Sequence, residues 1–219
     1  MDFELITIPY GPLGSNMYLF TSSSGVFIVD PSVSIDLADK FLGSKGISLA
    51  DLRIKGILIT HGHHDHIKCV SEWIKAYPNA SVFFSSNDKE LLGNPFMNCS
   101  YFEGGEITYD FKFSNLAGMY GMSIYNDSEL DIKVYETPGH TMGSVCYLFT
   151  AGEESILFTG DTVFKGSVGR TDMPGGSAKI LMESISRIKR FDSALKIYPG
   201  HGPASTIDEE VRLNPFFEM

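Results

Sequence analysis

Residues 57–66 read Ile57-Leu58-Ile59-Thr60-His61-Gly62-His63-His64-Asp65-His66, a short apolar run that ends in four histidines and an aspartate. The run has the composition of a buried strand, so the polar cluster sits where a strand gives way to a loop. Three positions far downstream repeat this arrangement. His140 closes Thr137-Pro138-Gly139-His140, Asp161 closes Thr159-Gly160-Asp161, and His201 closes Pro199-Gly200-His201, each after an apolar, strand-like stretch. Burying so many imidazoles and carboxylates without a compensating partner is costly. A metal ion removes that cost, and these are ligand types that zinc and similar cations accept.

The spacing gives each side chain a use. His61 and His63 lie two apart on an extended loop and can converge on one ion, with Gly62 freeing the backbone between them. Asp65 and His66 follow where the loop turns into a helix and can reach a second ion. His140 supplies a third imidazole to the first ion, and His201 a further nitrogen to the second. Asp161 offers two oxygens, and a carboxylate between two cations offsets their mutual repulsion. Two such cations share a water and lower its pKa toward neutrality, which makes hydroxide available. Asp65 and Asp161 are the carboxylates expected to serve catalysis. His64 is expected to be a supporting or solvent-facing residue. A structural zinc is the competing use, but such sites often draw on cysteine, and none stands in these motifs.

Composition narrows the partners. The chain has 219 residues with 43% hydrophobic and 20% charged side chains, ordinary for a globular protein. No linker composition divides it, so one domain over 1–219 is expected. The net charge of −10 repels phosphate backbones, which argues against nucleic acid. Cys69, Cys99 and Cys146 are too scattered for a disulfide framework and read as small buried hydrophobes. The opening Met1-Asp2-Phe3-Glu4 lacks the features of a signal peptide, and no apolar run approaches the ~18 residues of a membrane span. A cytoplasmic protein without membrane contact is expected.

Strand-like runs occupy 3–8, 17–21, 26–30, 56–59, 81–84, 132–137, 144–150, 155–159 and 195–198. Helical stripes cover 35–42, 66–76 (with Trp73 as core), 178–191 and 208–213. Between 94 and 130 the turn residues are dense, and strands are expected near 106–113 and 120–125. The order is β-rich then helical, twice over, and 26–30 and 156–161 both end an apolar strand in aspartate, which hints at duplication. Two face-to-face sheets with helices outside would bury every stripe.

With these residues in view, the chain resembles the metallo-β-lactamase superfamily, from Asn16-Met17-Tyr18 and Val29-Asp30-Pro31 to Asn214-Pro215-Phe216. The resemblance implies an α/β fold, a four-layer αββα sandwich of two mixed sheets with two metals at one edge. It implies His61, His63 and His140 on the first ion, Asp65, His66 and His201 on the second, and Asp161 bridging. Zinc is the expected metal, with iron or manganese as alternatives. An aspartate at 161 resembles the glyoxalase II (hydroxyacylglutathione hydrolase) group rather than true β-lactamases, which place cysteine there. The stretch 160–176 is similar to short, single-domain members of that group. Gly202-Pro203-Ala204 stands where glyoxalase II has a tyrosine-containing segment that contacts glutathione, and no counterpart of that group's C-terminal helical domain is expected.

The activity this implies is hydrolysis of a small-molecule thioester by a metal-bridging hydroxide. The alternatives are a mononuclear iron persulfide dioxygenase-like oxidoreductase, a lactonase and a non-catalytic metal-binding protein. Arg170 falls near a basic substrate-binding position of the family. It is expected either to hold a substrate carboxylate or to pair with Asp172 within its loop.

Overall fold

In the computed structural model, which describes residues 3–218, the apolar runs pair into two six-stranded mixed sheets. Met1 and Asp2 of the N-terminal stretch lie outside the described residues, as does Met219. The first sheet holds β1 (Glu4–Tyr10), β2 (Ser15–Ser22), β3 (Gly25–Val29), β4 (Ile54–Leu58), β5 (Ser81–Phe84) and β6 (Ser114–Asn115), side by side in chain order. Two antiparallel pairings join β1, β2 and β3; β3 to β6 pair in parallel. The second sheet begins with β7 (Met122–Asn126), β8 (Asp131–Glu136), β9 (Val145–Ala151) and β10 (Glu154–Gly160). A small hairpin, β11 (Val163–Phe164) and β12 (Ser167–Val168), then stands apart. The sheet is completed by β13 (Lys196–Pro199) and β14 (Ser205–Thr206), in the order β14-β13-β10-β9-β8-β7.

Among the described residues, six α-helices cover the outer faces: α1 (Ile35–Gly43), α2 (His64–Ile67), α3 (Val70–Ala76), α4 (Lys89–Gly93), α5 (Ala178–Ile188) and α6 (Ile207–Leu213). Alternate strand residues feed different cores, as the two-residue period of a strand requires. Tyr18, Phe20, Phe27, Phe149 and Phe158 fill the space between the sheets. Met17, Leu19, Ile28 and Ile57 point the other way, toward Leu42 and Trp73 of the first helical layer. Leu157 and Ile197 pack likewise on Leu181, Ile185 and Ile188 of α5. Trp73 is fully buried and donates its indole N–H to Val33 O at 2.7 Å. The four-layer αββα arrangement is the one expected.

The hint of duplication has a counterpart in the topology. The crossover β3–α1–β4 makes a parallel pair, and so does β10–α5–β13. Asp30 follows the first of these strands and Asp161 follows the third. His61 lies just past β4 and His201 just past β13. The two halves therefore deliver their polar residues to the same edge of the sandwich.

Three expectations need correction. The helix read over 66–76 is two helices, because the Cys69 amide donates to Pro31 O at 3.1 Å instead of continuing the ladder. The strand read over 106–113 does not form. Tyr109, Phe111 and Phe113 do alternate inward against the outer face of the first sheet, but the segment joins the ladder only at β6. Alternation there reports burial on one side, not strand pairing. Of the cysteines, Cys146 is buried as expected, whereas Cys69 and Cys99 are only half-buried.

Candidate metal centre

The polar residues from the strand ends gather in two groups whose ligand atoms lie within metal-binding reach: His61, His63 and His140, and Asp65, His66 and His201. A third such group, His61, His66 and Asp161, links them. His63 Nδ1 lies 2.9 Å from His140 Nε2, and His66 Nε2 lies 3.2 Å from His201 Nε2. Asp65 Oδ2 is 3.2 Å from His201 Nε2 and 3.5 Å from His66 Nε2. Tetrahedral ligands at Zn–N distances of 2.0–2.1 Å sit about 3.3 Å from one another. The observed separations are those of donors arranged around a small cation. Asp161 touches both groups: Oδ1 is 3.3 Å from His66 Nε2, and Oδ2 is 3.5 Å from both His140 and His201 Nε2.

Outer hydrogen bonds fix which ring nitrogen faces inward. His66 Nδ1 meets Asp30 Oδ2 at 2.9 Å, His140 Nδ1 meets Arg170 O at 2.7 Å, and His201 Nδ1 meets Leu13 O at 2.9 Å. Each acceptor holds the proton on Nδ1 and leaves the Nε2 lone pair for a metal. His61 follows the same pattern, with Nδ1 3.0 Å from Thr60 Oγ1. Its Nε2 is buried without a hydrogen-bond partner, as are His63 Nε2 and Asp161 Oδ1. Orphaned polar atoms in a native interior call for an unseen partner, and at His61 and Asp161 a cation supplies it. The residues fit a metal centre.

Electrostatics favours the ligand forms of His61, His63, Asp65 and Asp161, whereas His66 and His201 are raised, against the effect of burial, by the carboxylates beside them. Burial, followed by repulsion from the neighbouring imidazoles, holds His61 well below the ordinary histidine range and pushes His63 down to about 3. Both stay neutral, as ligands must. Burial alone would raise Asp65 and Asp161, but the adjacent histidines outweigh it and keep both carboxyls low. His66 moves the other way: burial opposes its protonation, yet Asp65, Asp161 and Asp30 together raise it.

Two carboxylates whose roles the sequence did not reveal hold the loops in place. Asp30, buried beyond β3, accepts from Thr60 N and Thr60 Oγ1 at 2.7 Å each as well as facing His66. Asp88 accepts from Gly62 N (2.9 Å), Thr141 Oγ1 (2.7 Å) and Gly143 N (2.6 Å), tying the loop of His61 and His63 to that of His140. Gly62 is not in a left-handed conformation, so its value is not the backbone freedom expected but its amide and its lack of a side chain beside Leu91. At Gly200 a Cβ would sit 2.1 Å from Asp161 Oδ1, so only glycine lets this strand end approach the ligands.

His64 contributes to neither group. It is buried rather than solvent-facing, and its Nδ1 bonds the Tyr109 hydroxyl, a contact from the irregular segment that sequence spacing could not reveal. Arg170 lines the cavity above the ligands, but its guanidinium pairs with Asp172 through two bonds of 2.7 and 2.8 Å. Cys99, read in the sequence as a small buried hydrophobe, instead sits half-buried at φ 70° and borders the same cavity, which an isolated cysteine carries no pattern to reveal.

Known proteins share this architecture. A model of the metallo-β-lactamase superfamily matches residues 10–201. The probable metallo-hydrolase YqgX of Bacillus subtilis is 30% identical over 95% of each chain. The crystal structure of the B3 metallo-β-lactamase BLEG-1 superposes with TM-score 0.84 at 29% identity, over 99% of this chain and all of that one. That of TTHA1623 in a di-iron-bound form superposes with TM-score 0.81 at 30% identity, over 96% and 99%. Fold, metal-binding side chains and sequence agree: the chain belongs to the metallo-β-lactamase superfamily.

Proposed function

We propose that this protein is a dinuclear metal-dependent hydrolase of small-molecule thioesters, related in its chemistry to glyoxalase II, with zinc as the first choice of metal. The observation that carries the reading is Asp161, whose carboxylate touches both groups, Oδ2 lying 3.5 Å from His140 and from His201 and Oδ1 3.3 Å from His66, while three further side chains stand on either side. His61, His63 and His140 would hold one ion, Asp65, His66 and His201 the other, and Asp161 would bridge. When bound, such a pair of cations supplies an ionised water near pH 7 and polarises the carbonyl under attack. One iron would need fewer ligands than these loops bring together, which favours the hydrolase over an oxygenase.

The surroundings point to the leaving group. Among the described residues lining the cavity, every histidine and aspartate belongs to the ligand set. The remaining ionisable groups are Arg170 and Cys99, the latter raised by burial to about 11. No free general acid is on hand to protonate a departing alkoxide or amine. A thiolate, with a conjugate-acid pKa of roughly 8.5, leaves without one. In hydrolysis the acyl carbon exchanges its bond to sulfur for one to water oxygen, and sulfur keeps the electron pair. Three unpaired cysteines fit a reducing compartment, in keeping with a cytoplasmic enzyme. No helix among the described residues is long and apolar enough to cross a membrane. The test is a thioester panel beside matched oxygen esters and lactones, with metal content and oxygen uptake measured in parallel. Thioester turnover without oxygen uptake is expected. Oxygen consumption with a persulfide, or preference for lactones, would contradict it.

A further inference from the structure

The cavity over the metal ligands has about 360 Å³ and a floor of ligand side chains. Its walls have a different chemistry. Leu13 comes from the β1–β2 turn, Phe164 and Val168 from the β11–β12 hairpin, and Met173 from the strap beyond it. Leu13 is 57% exposed, and Phe164, Val168 and Met173 are half-buried. Such a patch beside a polar floor is the make-up of a ligand pocket, in which a few polar groups orient and apolar walls bind.

The walls are also held rigidly. Gly166 N donates to Glu210 Oε2 at 2.8 Å, and Asn214 Nδ2 donates to Ser167 O at 2.9 Å and to Glu210 Oε2 at 2.8 Å. Glu210 and Asn214 are both 1% exposed, so α6 and the turn after it clamp the hairpin from behind. Leu13 is anchored through its carbonyl to His201 Nδ1. Phe164 meets the His201 ring edge-on, with centroids 5.8 Å apart. A pocket fixed beforehand gives up little entropy when a ligand enters.

Charge points the same way. Arg170 is the one lysine or arginine among the described lining residues, and Asp172 occupies its guanidinium. We infer that this cavity selects an uncharged, apolar acyl group, seated against Leu13, Phe164, Val168 and Met173, and discriminates against one ending in a carboxylate. The acyl identity of the ligand rests on the thioester reading, whereas the preference for an apolar chain stands on the walls themselves.

Binding without turnover separates the two. Hexane-1-thiol and 6-mercaptohexanoate are alike in length and in the thiol offered to the metals, and differ in the charge at the far end. Titrated calorimetrically into the metal-loaded protein, hexane-1-thiol is expected to bind at least tenfold more tightly. Phe164→Ala should erase most of that difference with metal content unchanged, and Met173→Ser, read in parallel, should reduce it. Equal affinities, tighter binding of the carboxylate, or no binding of either thiol would overturn the inference. A protein that shows the thiol preference yet hydrolyses no thioester would keep the pocket assignment and refute the proposed reaction.

Discussion

At the scale of single residues, neighbouring histidines have opposite duties. His61 offers a buried, unpartnered Nε2 to the centre, while His64 is turned to Tyr109. His61→Ala should lose at least one metal ion per chain and His64→Ala should keep its full complement, as read by elemental analysis; equal losses would refute the assignment. Asp30 acts through His66 by holding its ring orientation. Removing such a partner typically weakens metal binding 10–100-fold, so Asp30→Ala should show that loss in a chelator competition. Unchanged affinity would mean that the ring is held by packing alone. The seven side chains that gather at the centre were the ones singled out in the sequence, because each stands where an apolar run breaks off into a polar loop. The role of Asp88 was not legible there, since its partners are backbone amides and a hydroxyl from distant segments and a lone aspartate has no period to reveal it; Asp30 was marked only as ending a strand as Asp161 does, which did not disclose that it faces His66.

At the scale of elements, the centre depends on loops held together by a buried carboxylate. Asp88→Ala would strand the amides of Gly62 and Gly143 and the Thr141 hydroxyl. Unmet buried donors cost about 1–3 kcal/mol each, so a loss on the order of 3 kcal/mol is expected, a fall of roughly 6–12 °C in Tm for a chain of this size. Thermal melts of the metal-loaded variant would show it, and a shift below about 2 °C would mean that water replaces the carboxylate at little cost. Most strand and helix positions were legible to within a residue or two wherever apolar periodicity met a turn, although α5 stops at Ile188, three residues before the end expected. The break between α2 and α3 was not, because it is made by the carbonyl of Pro31 from another part of the chain. The segment 106–113 misled for a related reason: its aromatic alternation matches a strand, but its inward face packs on the outer layer, not on a free sheet edge.

At the scale of the whole molecule, both halves of the sandwich bring candidate ligands to one edge, so metal binding is expected to couple to folding. An ion present at a thousand times its dissociation constant stabilises the folded state by about 4 kcal/mol. Chelation should therefore lower Tm by roughly 8–16 °C, and restoring zinc should recover it. An unchanged melting temperature after verified metal removal would break the proposed coupling. The central claim, two cooperating metals acting on a thioester, is tested most directly by titrating zinc into the metal-free protein while following thioester hydrolysis. The account predicts that hydrolysis climbs until two equivalents per chain are bound and then levels off. Full activity at one equivalent, or none with both sites filled, would contradict it.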